Sequence, residues 1–191
     1  MVLAGDTFET RTTLSVAPHV EVLDAFASDA ELRAVLARAE PEVVDQQGWA
    51  AKADETGFSF EMPVPGDGLL EEIHRRMAAA LEIAGAHPPE SFRFRRYRPG
   101  EGHPPHCDHF QIGASWLVGT AMLCLTGAHA GGETEFPLAS PPLSVASKPG
   151  RLLYWKNHRA DGVADELALH EGREVIAGTK TTVTWFIYMA L

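Results

Sequence analysis

Residues 103–110 of the chain read HPPHCDHF, three histidines and an aspartate within eight positions. Imidazole nitrogens and carboxylate oxygens are donors for divalent transition metals, so the first question is which of these side chains can meet. Pro104 and Pro105 exclude an interior helix here, because Pro105 has no N–H to donate and its ring would clash with the preceding turn. His103 and His106 are therefore not an i, i+3 pair on a helix face. In an extended chain, residues two apart share a face, about 6.6 Å apart at Cα. His106, Asp108 and Phe110 then point one way, while Cys107 and His109 point the other, which assigns Cys107 to the core. One imidazole and one carboxylate can share a cation at about 2.1 Å, but they need a third ligand from elsewhere in the chain.

Six histidines remain. His74 lies beside Arg75 and Arg76 in a helical stretch and reads as part of a solvated face. His19 and His87 sit beside prolines or at chain turns. His129, just before AGGETEFP, and His158, in KNHRADG, both fall in turns. His103 and His109 read as supporting or surface groups. His170 differs, because Lys180 follows it ten positions later. Two histidines and one carboxylate on one face of a metal leave three coordination positions open, the facial triad of non-haem Fe(II) oxygenases. One group of these also binds 2-oxoglutarate, whose distal carboxylate needs a fixed cation; a lysine on the strand after the second histidine can supply it.

These residues need a rigid frame. SDAELRAVLARAE (Ser28 to Glu40) opens with a Ser or Asp cap and spaces Leu32, Val35 and Leu36 on one face, which predicts a helix. GDGLLEEIHRRMAAALEIAGA (Gly66 to Ala86) predicts a second, with Leu70, Ile73, Met77 and Leu81 as its stripe. From Ser91 onward short strand-like runs alternate with Gly, Pro and Asn clusters: SFRFRRY, PHCDHFQI, GTAMLCLTG, TEFPL, RLLYWKN, REVIAG and KTTVTWFIYMAL. Many short strands closed by turns suggest a sandwich or jelly roll. A chain of 191 residues is long enough for one domain with a real core. It divides into an N-terminal helical support layer, 1–90, and a catalytic β-core, 91–191. A formal charge of −10 argues against nucleic acid as a partner. The opening MVLAGDTFETRTTLS lacks a basic start and an apolar run, so no signal peptide is expected, and no apolar stretch is long enough to span a membrane. Two cysteines make no disulfide framework, so a cytoplasmic location is expected.

Five motifs occur in order: YRPG (97–100), HCD (106–108), GGETEFP (131–137), KPGRLLYWKN (148–157) and HEGREVIAGTK (170–180). A lone His-x-Asp would carry little weight. All five, from about Phe92 to Trp185, resemble the catalytic domain of the prolyl 4-hydroxylase-like 2-oxoglutarate/Fe(II)-dependent dioxygenases. The resemblance implies an α+β, mainly β fold, a cupin-like double-stranded β-helix with N-terminal helices packed on one face. It also implies Fe(II), 2-oxoglutarate and O2, with ascorbate as a supporting reductant. Residue by residue, His106, Asp108 and His170 match the iron ligands, Lys180 the partner of the cosubstrate carboxylate, and Tyr97 and Thr120 hydrogen-bonding positions around the cosubstrate. Because Asp108 fills the carboxylate position, no place is left for chloride, which favours hydroxylation over halogenation.

The chain departs from the family pattern at three places. His103 stands where a second aromatic commonly follows the first glycine, Glu174-Val175 where the family often has Pro-Val, and Trp185 falls five rather than six residues after the lysine. Strand alternation puts Lys180, Thr182 and Thr184 on one face and Trp185 on the other, which keeps Trp185 out of the site. The family precedent for a substrate is a prolyl residue in a peptide or protein; a free amino acid or a natural-product intermediate is the alternative. A non-catalytic or hydrolytic cupin-like metal protein is the rival from another class. FQIGASWLVG (110–119) is expected to form the pocket rim, with Phe110 and Trp116 as substrate contacts. The sequence carries no signal for an oligomeric state.

Overall fold

The computed structural model describes residues 10–45, 57–84 and 88–190. His87, the expected end of the second helix at Gly85 and Ala86, and the first nine residues lie outside the described residues.

The strands are β1 (Thr10–Val16), β2 (His19–Asp24), β3 (Phe58–Pro63), β4 (Ser91–Tyr97), β5 (His103–His106), β6 (Gln111–Ile112), β7 (Ser115–Gly131), β8 (Thr134–Phe136), β9 (Leu143–Val145), β10 (Leu152–Lys156), β11 (His170–Gly172) and β12 (Val175–Ala190). The helices are α1 (Asp29–Asp45) and α2 (Gly68–Ala80). One sheet runs β1-β2-β10-β7-β12-β4-β3, with β6 added on β7; the other runs β5-β11-β8-β9. The two lie face to face, since Val20, Val22, Leu153 and Trp155 of the large sheet pack with Phe136 and Val145 of the small one. This is the expected jelly roll.

Alternation along β12 decides what each face does. Val183, Trp185 and Ile187 point outward into a core shared with Leu32 and Val35 of α1 and Leu70, Ile73 and Met77 of α2. Lys180, Thr182, Thr184 and Phe186 point inward, between the sheets. Both helices thus cover the outer face of the large sheet and hold its inner face in place. α1 starts at a capping box: Glu31 N–H donates to Ser28 Oγ at 3.3 Å, and Ser28 N–H donates to Glu31 Oε2 at 2.8 Å. The Asp67 carboxylate caps α2 by accepting from the Leu69 and Leu70 N–H groups.

Four expectations change. The first 90 residues are not a purely helical layer, because β1, β2 and β3 lie there and belong to the large sheet. β1 is an edge strand of mostly exposed polar residues, so it carries no apolar face to read in the sequence. α2 ends at Ala80 rather than Ala86. Glu82 takes φ 56°, Ile83 N–H donates to Ala78 O at 2.9 Å and Glu82 N–H to Ala79 O at 3.2 Å, a Schellman stop built without glycine. His74 is not on a solvated face; its ring meets Trp185 edge-on at 4.5 Å, and burial lowers its pKa. His129 lies within β7 rather than in a turn.

Candidate active site

β5 and β11 are antiparallel neighbours whose register sets His106 directly opposite His170. Their ring centroids are 4.3 Å apart. Strand pairing stops at His106, yet Asp108 still falls on the same side, as alternation predicts. Its buried carboxylate places Oδ1 3.6 Å from His106 Nε2 and Oδ2 3.8 Å from His170 Nε2.

Both rings are set by the backbone. His106 Nδ1 is 2.8 Å from the Pro104 carbonyl, and His170 Nδ1 is 2.9 Å from the Ala168 carbonyl. A carbonyl only accepts, so each Nδ1 carries the proton and donates, which leaves each Nε2 lone pair facing Asp108. Burial pushes the His170 pKa down to about 4, against the opposing pull of Asp108, so this imidazole is neutral at pH 7. The aspartate is held as firmly. Thr120 Oγ1 donates to Asp108 Oδ2 at 2.7 Å, and Asn157 Nδ2 donates to Thr120 Oγ1 at 3.1 Å. The Trp155 ring packs against the His170 ring at a tilt, with centroids 4.6 Å apart. The donor set therefore fits a divalent transition metal: one anionic oxygen and two imidazoles with fixed tautomers, each supported from behind.

The triad opens into a cleft of about 460 Å³ whose walls include Tyr97, Thr134, Trp155 and Lys180. Lys180 lies directly opposite Tyr97 in the β4–β12 register, its Nζ 6.0 Å from the ring centroid. Lys180 is 4 % exposed. It donates to Thr134 Oγ1 at 3.2 Å and, among the described residues, forms no ion pair. Burial pushes its pKa down to about 8. A buried cation whose only hydrogen-bond partner among the described residues is a hydroxyl is costly, and an entering carboxylate would supply the missing charge. The cleft therefore fits a small carboxylate as well as a metal.

The structure thus brings His106, Asp108, His170, Tyr97, Thr120 and Lys180 to one cavity. Thr120 acts differently from the expectation, since its hydroxyl is committed to Asp108. Thr182 lines the cleft, but Thr134 is the hydroxyl that meets Lys180. Phe110 is 56 % exposed and lines a second, larger cleft of about 1770 Å³ beside the first. Arg95 and Phe186 line both cavities and join them. Trp116 lines neither; alternation turns it away from Ser115 and Leu117, and it meets the His158 ring at 5.9 Å instead. Cys107 is half-buried rather than core. Its sulfur lies within 4.8 Å of donor atoms of His109 and Glu166.

Sequence reading missed Arg95, Thr134, Asn157 and Phe186. Counting by twos from Tyr97 and from Lys180 would have found Arg95 and Phe186. Thr134 and Asn157 lie inside quoted motifs, but no spacing ties them to Lys180 or to Thr120. The motif's Gly131 is structural as expected, with φ 71° and a position where a Cβ would collide with the Glu174 carbonyl.

Residues 92–188, just over half of the chain, match the family model of the 2OG-Fe(II) oxygenase superfamily. The chain belongs to that superfamily. This oxygenase is 27 % identical to prolyl 4-hydroxylase 13 of Arabidopsis thaliana over 91 % of the chain and 72 % of the relative. It is 25 % identical to prolyl 4-hydroxylase subunit alpha-3 of Bos taurus over 93 % of the chain and 35 % of that longer relative. Its fold matches the viral collagen prolyl hydroxylase of Paramecium bursaria chlorella virus-1 in complex with 2OG, with a TM-score of 0.77 at 18 % identity, covering 92 % of this chain and 99 % of the other. A Trichoplax adhaerens prolyl hydroxylase in complex with a hypoxia inducible factor peptide matches with a TM-score of 0.62 at 13 % identity, covering 90 % and 83 %. The oxygenase is thus an enzyme of the prolyl 4-hydroxylase-like kind, and its family implies Fe(II) and 2-oxoglutarate.

Proposed function

We propose that the protein couples oxidative decarboxylation of 2-oxoglutarate, to succinate and CO2, to hydroxylation of a prolyl residue in a peptide or protein. His106, Asp108 and His170 would hold Fe(II). Lys180, with Thr134 beside it, would pair with the distal carboxylate of 2-oxoglutarate. When bound, the iron supplies the activation of O2 and the oxidation of the substrate C–H bond. The chain's own residues bind, orient and exclude water. Thr120 and Asn157 hold the Asp108 carboxylate, Trp155 packs against His170, and Tyr97 walls the cleft opposite Lys180.

The observation that carries this reading is Lys180: a buried ammonium with no anionic partner among the described residues, in the same cavity as two imidazoles and a carboxylate. A generic metal barrel has no use for such a cation. Support for a peptide substrate comes from the wider cleft joined to the inner one through Arg95 and Phe186, open and lined by Phe110, Ile112 and Tyr188. The relatives named as prolyl hydroxylases favour a prolyl side chain. Succinate release, measured with proline-containing peptides and with free amino acids, tests the substrate. Stimulation by peptides is expected; stimulation by a free amino acid alone would overturn the peptide reading. Among the described residues no helix is long and apolar enough to cross a membrane.

A further inference from the structure

A second group of metal-ligating side chains lies outside the cleft. Cys107, His109 and Glu166 each bring a donor atom within 4.8 Å of the other two, the only such group besides the triad among the described residues. We propose that these three residues form a second site, for a thiophilic divalent cation of the Zn(II) type, separate from the His106–Asp108–His170 centre. The inference does not rest on the hydroxylase reading.

The local chain explains the grouping. Alternation that turns His106 and Asp108 into the cleft turns Cys107 and His109 to its outside. Glu166 opens a 3-10 turn, Glu166–Ala168, whose position is fixed by Asp165: its carboxylate accepts the Leu167 N–H at 3.1 Å and its N–H donates to Asn157 O at 2.9 Å. Thiolate, imidazole and carboxylate with one place left for water make a tetrahedral donor set suited to Zn(II). Among the described residues the His109 ring makes no hydrogen bond: its Nδ1 is 4.0 Å from Glu166 Oε1, too far for one, and its buried Nε2 has no hydrogen-bond partner, while the ring lies tilted 6.3 Å from that of His158.

The two joined segments are those that carry the first site. Residues 106–109 hold His106 and Asp108; residues 166–170 hold His170 and the Ala168 carbonyl that orients it. A cation on Cys107, His109 and Glu166 would clamp these segments together from outside. Binding exchanges the thiol proton, released to solvent, for the cation.

Co(II) titration of the metal-free protein tests the proposal, because thiolate-to-cobalt charge transfer absorbs in the near ultraviolet and imidazole–carboxylate sites give no such band. A second equivalent of Co(II) that brings this band is expected. Cys107→Ala should lose the band and that equivalent while keeping the other; Cys124→Ala, at the buried second cysteine, should keep both. Glu166→Ala changes a side chain that is 81 % exposed and leaves the barrel intact. It should weaken the second equivalent by at least about tenfold, the low end of what loss of even a supporting group costs a metal site. A single equivalent without the band, a band that survives Cys107→Ala, or unchanged affinity in Glu166→Ala would overturn the proposal.

Discussion

His106 and His170 face each other across the β5–β11 ladder, and each donates its Nδ1–H to the carbonyl two residues before it. One backbone rule, applied on two strands, turns both Nε2 lone pairs toward Asp108. Truncating either ring or the carboxylate would remove a proposed ligand and little of the core. His106→Ala, Asp108→Ala and His170→Ala should each abolish stoichiometric iron binding and substrate-coupled turnover while keeping the circular dichroism of the parent. Full iron content in His170→Ala would make His170 no ligand.

Thr120 and Asn157 hold the Asp108 carboxylate and would act on a bound metal through it. Thr120→Val keeps the volume but removes the donor to Oδ2, freeing the carboxylate to rotate. The expected loss is about 10- to 100-fold in Fe(II) affinity, read by equilibrium dialysis, with 2-oxoglutarate affinity on the saturated metal almost unchanged. If the variant instead lost cosubstrate affinity with normal iron binding, Thr120 would contact the cosubstrate directly.

Lys180 should control the pH dependence of cosubstrate binding. Its folded-state pKa, pushed down to about 8 by burial, lies below the ordinary lysine value of 10.5. Only the protonated form attracts a carboxylate, so affinity for 2-oxoglutarate should fall as pH rises above about 8, by about tenfold per unit at the limit. Folding stability without cosubstrate moves the other way. Between about 8 and 10.5 the unfolded chain binds more protons at this residue, so the destabilisation from burying the ammonium is relieved as pH rises. Comparing the parent with Lys180→Met across this window isolates both trends; a parent affinity that stays flat to pH 9.5 would contradict the assignment. At pH 7, Lys180→Ala should weaken 2-oxoglutarate by about 10²- to 10³-fold, from about 3–5 kcal/mol for breaking a buried charge pair. Lys180→Arg should lose less.

Trp185 and Phe186 are neighbours with opposite duties. Trp185 fills the outer core against α2 and is 1 % exposed. Trp185→Ala should cost about 3–5 kcal/mol of stability, measured by denaturant unfolding, and leave cosubstrate affinity alone. Phe186→Ala, at the junction of the two clefts, should raise KM for a peptide substrate with little loss of stability. A reversed pattern would mean that the β12 alternation is assigned to the wrong faces.

Much of this was legible in the residues because local pattern and tertiary role agree. His-x-Asp on an extended segment, the apolar stripe of α2 and the alternation of β12 each state one period and keep it. What was not legible depends on partners far away in the chain. The polar β1 carries no buried face to betray it as a strand. Glu82 takes a left-handed conformation that a reader would look for at Gly85. Trp116 looked like a pocket residue by proximity to the ligands, but its parity on β7 turns it to His158. Thr120 and Thr134 divide the work around Asp108 and Lys180, a division set by side-chain reach across strands and not by spacing.

The central claim is that one cavity binds Fe(II) through His106, Asp108 and His170 and 2-oxoglutarate beside it through Lys180. Anaerobic addition of Fe(II) and then 2-oxoglutarate, followed by visible absorption, tests it most directly. A weak metal-to-ligand charge-transfer band should appear with both present, be absent when Zn(II) replaces iron, and require far more 2-oxoglutarate in Lys180→Ala. Protein that binds Fe(II) and 2-oxoglutarate with no such band, or a Lys180→Ala titration that overlays the parent, would contradict the account.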